Sequence, residues 1–221
     1  MSFGSSLKGR SVAETGSLPF RAGLTGSIGM GKSETANLFA RLGLPVFDAD
    51  ATVHALYGPG AAGTAAIAAR FPEAVGASGV DRTRLAQIVA GDASALRTLE
   101  GLIHPLVREA EDKFLANARA RNEELVILDI PLLFETGRNT TMDAVVVVSS
   151  PEAVQRERVL KRPGMTPEKF ATILARQVPD AEKRAQADFI IETDQGLDHA
   201  LAQVKRVAAE LRRLAAEKHK R

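Results

Sequence analysis

Short runs of apolar residues, separated by longer amphipathic stretches, dominate the pattern of this chain. The five strand-like runs are Ala22 to Leu24, Val46 to Phe47, Leu125 to Leu128, Ala144 to Val148 and Phe189 to Ile191. Parallel strands are covered on both faces and therefore read as continuous apolar runs, as the run at Ala144 does. The pattern predicts an α/β fold with a five-stranded parallel sheet.

The stretches between these runs predict helices, because their apolar residues recur every three to four positions. Helices are expected over Glu34 to Leu42, Pro151 to about Leu160, Pro167 to Gln177 and Leu197 to about Leu214. Residues 51–120 also have mostly helical patterns, with a long run from Ala93 to Arg119 and only weak strand candidates. We interpret this segment as a helical insertion between the second and third strands.

A complete G-x-x-x-x-G-K-S phosphate-binding loop lies between the first strand and the first helix. Its residues are Gly26, Ser27, Ile28, Gly29, Met30, Gly31, Lys32 and Ser33, followed by Glu34 in the first helical turn. Glycines let consecutive backbone N–H groups face one anion, and the helix dipole adds to the attraction. Lys32 is expected to contact the β and γ phosphates of a nucleotide, and Ser33 to bind Mg²⁺.

Carboxylates follow two of the other strands. Asp48 and Asp50 come after the second strand, and Asp129 ends the third. Ligands of open parallel sheets bind at the carboxyl ends of the strands, so these aspartates are expected at the site. An aspartate at the end of a strand that follows a phosphate loop is typical of a residue near Mg²⁺. Asp48 either supports Mg²⁺ or substrate, or ends its strand.

Basic residues gather before Pro163 and Gly164, between two predicted helices. They are Arg156, Arg158, Lys161 and Arg162. In a nucleotide-binding protein this arrangement favours a mobile lid over the phosphates. The alternative is an exposed helix end whose cations complement the helix dipole.

Composition and charge exclude several classes of protein. The 221 residues include no cysteine, which excludes disulfides and thiolate metal sites. The formal charge is +2, but residues 22–204 hold 24 acidic against 19 basic residues, so the positive charge lies at the two ends. This distribution argues against nucleic-acid binding. No apolar run is long enough to span a bilayer and the first residues do not resemble a secretory signal, so we expect a cytoplasmic protein.

Several separated motifs, in this order, resemble those of the dephospho-coenzyme A kinase family. They are Leu24-Thr25-Gly26 with the phosphate loop, Val46 to Asp50, Pro59-Gly60, His104 to Arg108, Asp129 to Glu135, and Ala187-Asp188. The resemblance extends from Ala22 to about Leu211. It implies a three-layer P-loop kinase fold with a helical substrate domain and a helical lid. The implied reaction transfers the γ-phosphoryl group of ATP, with Mg²⁺, to the ribose 3′-hydroxyl of dephospho-coenzyme A.

The resemblance also implies roles for individual residues. Asp50 orients the acceptor hydroxyl and takes its proton, while Lys32, Arg158 and Arg162 stabilise charge on the transferred group. Residues expected on the acceptor side are His104, Arg108, Leu132 and Glu135. Capping or a core position is the favoured interpretation for His104, Leu132 is either a pocket wall or core, and Glu135 either binds substrate or pairs with an arginine. The expected metal ligands are Ser33 and Asp129.

We divide the chain accordingly. The divisions are a disordered leader at residues 1–19, a nucleotide-binding core at 20–50, 121–150 and 185–216, a helical acceptor domain at 51–120, a lid region at 151–184 and a basic tail at 217–221. We expect a monomer or a weak homo-oligomer.

Some positions depart from the family pattern, and two other functions remain open. Glu34 replaces a usual hydroxyl residue, Ser27 a common glycine, and no asparagine precedes Gly196. The alternatives are another small-molecule P-loop kinase, with a nucleotide or polyol acid as acceptor, and a nucleotide-dependent switch. A switch is disfavoured because no N-K-x-D run is present.

Overall fold

The computed structural model describes residues 17–220. The strands are β1 (Phe20–Thr25), β2 (Val46–Asp48), β3 (Val75–Gly76), β4 (Gly79–Val80), β5 (Leu125–Asp129), β6 (Ala144–Ser149) and β7 (Phe189–Glu192). The helices are α1 (Lys32–Arg41), α2 (Ala49–Leu56), α3 (Ala62–Ala68), α4 (Arg82–Val89), α5 (Ala93–Ala120), α6 (Glu152–Leu160), α7 (Pro167–Leu174), α8 (Asp180–Ala185) and α9 (Leu197–Lys218).

The main sheet has five parallel strands in the order β2-β5-β1-β6-β7. This confirms the predicted α/β fold. The first strand lies in the centre, so the loop that follows it has a neighbouring strand end on each side. In the register of the sheet Leu24 is opposite both Asp129 of β5 and Val146 of β6. The carboxyl ends of the central strands therefore form one crevice.

Both faces of the sheet are covered, which explains the continuous apolar runs. Alternate residues of a strand point to opposite faces. On β6, Val146 and Val148 pack with α1 and α9, whereas Val145 and Val147 pack with the end of α5. The molecule therefore has the three layers that the sequence predicts.

The insertion between β2 and β5 has a hydrophobic cluster of its own, centred on Ile67, Phe71, Leu85 and Ile103. It contains α2 to α5 and a two-stranded antiparallel hairpin of β3 and β4. The sequence offered only weak strand candidates here, because each strand is two residues long. Their turn is closed by Gly79, whose φ of 96° is in the left-handed region that favours glycine. The assignment of this segment to the acceptor substrate stays a prediction.

Several boundaries differ from the sequence prediction. The second strand ends at Asp48, and Asp50 lies in the first turn of α2, so these two aspartates do not share one side of an extended strand. The cause is Asp48 itself, whose Oδ1 accepts the N–H of Ala51 at 2.8 Å and starts the helix. Helix α8 was not predicted, and helix α7 ends earlier than expected, at Leu174.

The two ends of the described chain meet. Helix α9 extends to Lys218, which lies within the predicted basic tail and pairs with Asp143 at 2.7 Å. His219 contacts the carbonyl oxygen of Leu18 at 3.2 Å. Residues 1–16 of the predicted leader lie outside the described residues. Among the helices of residues 17–220, none is long and apolar enough to cross a membrane.

The packing of α9 on the sheet generates a stability prediction. Leu211 is fully buried in the core that α9 shares with α1 and the sheet, whereas Leu197, in the same helix, is half exposed. Leu211→Ala should lower the free energy of unfolding by about 2 to 5 kcal/mol, because it leaves a cavity. The matched control, Leu197→Ala, should change it by less than about 0.5 kcal/mol. Urea denaturation of both variants measures the difference, and equal effects would contradict the packing described.

Candidate active site

The phosphate loop connects β1 to α1 at the centre of the sheet, and its glycines are required by close packing. A Cβ atom at Gly26 would lie 2.6 Å from the carbonyl oxygen of Val148 on the neighbouring strand. Gly31, which precedes the first helical residue, has a φ of 91°. Side chains at these positions would displace the loop, so the loop can lie this close to β6 only with glycine there.

The loop presents a series of backbone donors. In the region the structure describes, the N–H groups of Gly29, Gly31, Lys32, Ser33 and Glu34 have no hydrogen-bond acceptor outside α1 itself. Met30 differs, since its N–H donates to the carbonyl oxygen of Ser27 at 3.2 Å. Unpaired donors at the start of a helix attract an anion through hydrogen bonds and the helix dipole. The predicted phosphate site therefore has the donors it needs.

Lys32 forms an ion pair with Asp129 at the end of β5. Their Nζ and Oδ1 atoms are 2.6 Å apart, and the Asp129 side chain is 1% exposed. Burial raises the pKa of Asp129 to about 6, the Lys32 ammonium group opposes this rise, and the carboxylates of Asp48 and Asp50 add to it. The pKa of Asp129 is therefore set first by burial and then by its charged neighbours.

The positions of Asp48 and Asp50 separate their roles. Asp48 is the register partner of Asp129 on adjacent strands, and its Oδ1 caps α2. Asp50, exposed in the first turn of α2, lines a cavity of about 400 Å³ together with the phosphate loop. Of the two, Asp50 is thus the one that lines that cavity.

The cavity that contains Asp50 brings together most of the predicted donor-site residues. Its lining residues are Gly26 to Glu34, Asp50, Pro131, Arg162, Ile173 and Gln177. Arg162 is exposed, at the start of the turn between α6 and α7. The predicted lid arginine therefore faces the same space as Lys32 and Asp50.

A second cavity, of about 290 Å³, adjoins the first. It shares with the first cavity Gly29, Gly31, Glu34 and Arg162, and its other lining residues are Thr35, Leu38, Arg158, Thr193, Gly196, Leu197 and Ala200. Arg158 donates two hydrogen bonds to Thr193, to Oγ1 at 2.8 Å and to the carbonyl oxygen at 2.6 Å. Thr193 Oγ1 donates in turn to the carbonyl oxygen of Met30 in the phosphate loop at 2.8 Å.

Four predicted acceptor-side residues do not line either of these cavities. His104 and Arg108 are exposed on α5, so the capping or core role favoured for His104 is wrong. Leu132 is 43% exposed, which excludes a core position for it. Glu135 pairs with a buried residue, Lys183, at 2.9 Å, rather than with an arginine.

The sequence did not identify three polar residues that contact the loop. Gln155, Gln177 and Thr193 each hydrogen-bond to the backbone of the loop. They lie more than 120 residues from it in the chain, and nothing in their local pattern marks them. The sequence indicated only that Gln155 and Gln177 lie in the predicted lid region, from its basic residues and helical pattern.

The sequence comparison decides the family of this site. The sequence model described as dephospho-CoA kinase matches residues 21–199, a range that includes the phosphate loop, the 400 Å³ cavity and the insertion. The chain belongs to the dephospho-CoA kinase family. This agrees with the resemblance seen in its motifs. The proteins of this family are kinases, so the chain is a transferase.

Curated dephospho-CoA kinases and solved structures resemble the chain over most of its length. The dephospho-CoA kinase of Mesorhizobium japonicum is 57% identical over 86% of this chain and 95% of that protein. The dephospho-CoA kinase of Novosphingobium aromaticivorans is 54% identical over 92% of this chain and 98% of that protein. In the crystal structure of TT1252 from Thermus thermophilus, the sequence is 35% identical and the TM-score is 0.76. The match covers 88% of this chain and 99% of that one. Dephospho-CoA kinase from Campylobacter jejuni, at 22% identity and a TM-score of 0.62, supports the fold.

The donor groups around Asp129 fit a magnesium ion shared with phosphates. Ser33, which carries a hydroxyl group, lines the 400 Å³ cavity, and Asp129 pairs with Lys32, which lines the same cavity. Within residues 17–220 no cluster of three or more histidine and carboxylate residues could hold a metal on its own. Mg²⁺ is commonly bound by one or two protein oxygens, phosphates and water, so a sparse donor set of this kind suits it.

The environment of Asp129 generates a titration prediction. In the nucleotide-free and metal-free protein its carboxyl should titrate near pH 6, not near 3.8. Asp50→Asn should lower this midpoint because it removes a negative charge, and Lys32→Met should raise it because it removes the opposing cation. Carboxyl-carbon NMR measures the three midpoints.

The same shift has a consequence for stability. A raised folded-state pKa means that Asp129 favours folding most below pH 3.8, and this contribution disappears as the pH rises through about 6. For the titration itself, an unchanged Asp129 midpoint in both Asp50→Asn and Lys32→Met would contradict the proximity of Asp50 and Lys32 to Asp129.

Proposed function

We propose that this chain transfers the γ-phosphoryl group of ATP to the ribose 3′-hydroxyl of dephospho-CoA, which gives CoA. The observation that carries the proposal is the 400 Å³ cavity, in which unpaired donors of the phosphate loop and Lys32 share one space with the Asp50 carboxylate. Membership of the dephospho-CoA kinase family names the substrate class.

The loop residues bind the donor nucleotide. The N–H groups of Gly29, Gly31, Lys32, Ser33 and Glu34 hold the phosphates, and the ammonium group of Lys32 neutralises charge on the transferred group. Ser33 and Asp129 would hold Mg²⁺, which would neutralise phosphate charge during the transfer. Asp129 already orients Lys32 through their 2.6 Å contact, so the lysine needs little reorganisation.

Asp50 activates the acceptor. A ribose hydroxyl is a weak nucleophile, and a carboxylate within hydrogen-bond reach orients it and accepts its proton. Asp50 is suited to this role because it lines the cavity and its side chain has no hydrogen-bond partner within residues 17–220. Asp48 is less suited, since its Oδ1 is occupied by the N–H of Ala51.

The arginines act on two sides of the nucleotide. Arg162 lines both cavities and stabilises the transferred phosphoryl group. Arg158, fixed by Thr193, lines only the 290 Å³ cavity, where the apolar side chains of Leu38 and Leu197 also lie. We assign that cavity to the nucleoside part of ATP, with Arg158 on its wall.

The acceptor is bound by the insertion and the segment after β5. Arg108, exposed on α5, is available for the phosphates of dephospho-CoA, with His104 one turn away. Exposed Leu132 forms part of the same acceptor wall, and Glu135 acts through Lys183 and the lid segment. The cytoplasmic location and the monomeric or weakly oligomeric state stay predictions.

The proposed reaction is tested by its product. Incubation with Mg-ATP and dephospho-CoA should give equimolar ADP and CoA, identified by mass spectrometry. Adenosine, shikimate and gluconate serve as competing acceptors and should be phosphorylated far more slowly. ADP release independent of any acceptor would indicate a nucleotide switch, and faster phosphorylation of another acceptor would indicate a different kinase.

The role of Asp50 generates a second prediction. Asp50→Asn should lower kcat by about 10² to 10⁴ fold, because it removes the proton acceptor. ATP affinity, measured by calorimetry, should change little, since the nucleotide contacts lie on the loop. Asp112→Asn, an exposed aspartate on α5, is the matched control and should retain full activity. Unchanged turnover of Asp50→Asn would remove Asp50 from the mechanism.

Lys32 should affect both binding and rate. Lys32→Ala is expected to weaken ATP binding and to lower kcat by about 10² to 10³ fold, because its charge acts in the ground and transition states. Calorimetry and initial rates measure the two effects separately. Lys113→Ala, an exposed lysine on α5, is the control. A loss of binding alone, with kcat preserved, would contradict the catalytic part of this assignment.

A further inference from the structure

Two glutamines from the lid region hold a single residue of the phosphate loop from both sides. The N–H of Ile28 donates to Gln177 Oε1 at 3.1 Å, and Gln155 Nε2 donates to the carbonyl oxygen of Ile28 at 2.8 Å. Gln155 lies in α6 and is buried, whereas Gln177 lies after α7 and is half-buried. The conformation of the loop at Ile28 is therefore tied to the position of the lid segment.

Gln177 is itself held from the acceptor side of the site. The N–H of the next residue, Val178, donates to Glu135 Oε1 at 2.8 Å. Glu135 also pairs with Lys183, whose side chain is fully buried. Glu135 belongs to the segment that follows Asp129 at the end of β5. A continuous set of contacts thus runs from the segment after β5, through residues 178 and 177, to Ile28.

Gln177 binds the loop residue that directly precedes the unpaired N–H donors. The N–H of Ile28 is occupied by Gln177, and the unpaired donors begin at the next residue, Gly29. Gln177 also lines two cavities, the 400 Å³ cavity with Asp50 and Arg162, and a larger one of about 590 Å³ between the ends of β6 and β7. Ser27 and Met30 line both cavities as well, so Gln177 lies where the two cavities adjoin.

We propose that Gln177 is a positioning residue for phosphoryl transfer, an inference that rests on the function proposed above. It acts through Ile28: its amide oxygen fixes the peptide next to the first unpaired donor, and Glu135 fixes Gln177 relative to the acceptor-side segment. Donor and acceptor are thereby aligned by one set of contacts. Its uncharged amide does this without a negative charge beside the phosphates.

Two substitutions at Gln177 separate positioning from simple stabilisation. Gln177→Ala removes the acceptor and should lower kcat about tenfold, since small displacements of reacting groups are costly. Its melting temperature should remain within about 2 °C of the wild type, because the side chain is only half-buried. Gln177→Glu keeps an acceptor oxygen but adds a negative charge, so it should retain kcat better than the alanine variant while raising KM for ATP about tenfold.

The matched control is Gln186→Ala, because Gln186 is an exposed glutamine just after α8 whose side chain donates to the carbonyl oxygen of Glu182 and does not contact the loop. It should leave kcat, KM and melting temperature unchanged. Initial rates over a matrix of ATP and dephospho-CoA concentrations, with differential scanning fluorimetry of each variant, provide all the required values.

The outcomes are distinguishable. If Gln177→Ala keeps kcat within twofold of an active wild type, the positioning role is wrong. If its kcat falls only together with its melting temperature and recovers on cooling, the residue is merely structural, and the inference is also wrong. An equal KM for ATP in Gln177→Glu and wild type would place the side chain away from the phosphates and overturn the proposal. A wild type that makes no CoA would instead refute the proposed function.

Discussion

The buried ion pair between Lys32 and Asp129 is the interaction on which the site depends. Each charge would be costly to bury alone, and at 2.6 Å each offsets part of the other's desolvation. The pair holds a cation where phosphates are expected and a carboxylate where a metal ion is expected. It also joins the first residue of α1 to the end of β5, so the end of the phosphate loop is tied to the segment that follows Asp129.

The strand order explains how such distant residues meet. With β1 in the centre of the sheet, the phosphate loop is next to the ends of β5 and β6, and the end of β2 lies one strand further. Asp48, Asp50 and Asp129 converge there because parallel strands place their carboxyl ends at one edge. The helical insertion follows β2 and returns at β5, which places the predicted acceptor domain beside the same edge.

Further polar contacts to the loop come from α6, from the segment after α7 and from the segment after β7. Thr193, after β7, donates to Met30 and accepts from Arg158, while Gln155 and Gln177 hold Ile28. These hydrogen bonds bind the loop to the lid helices without filling the nest of unpaired N–H groups. The loop is therefore shaped in advance for an anion, which lowers the reorganisation required during reaction.

The sequence by itself determined the fold class, the phosphate loop and the family, because these depend on local patterns: continuous apolar runs, helical periodicity, and glycines followed by Lys32 and Ser33. It also identified Asp50, Asp129 and Arg162, which follow or flank recognisable elements. Only the tertiary structure decided that Asp48 caps a helix, that Glu135 pairs with Lys183, and that Gln155, Gln177 and Thr193 hold the loop. The physical reason is that these are single side-chain contacts, several of them between residues more than 100 positions apart, whose partners are chosen by the packing of helices on the sheet and leave no periodic trace along the chain.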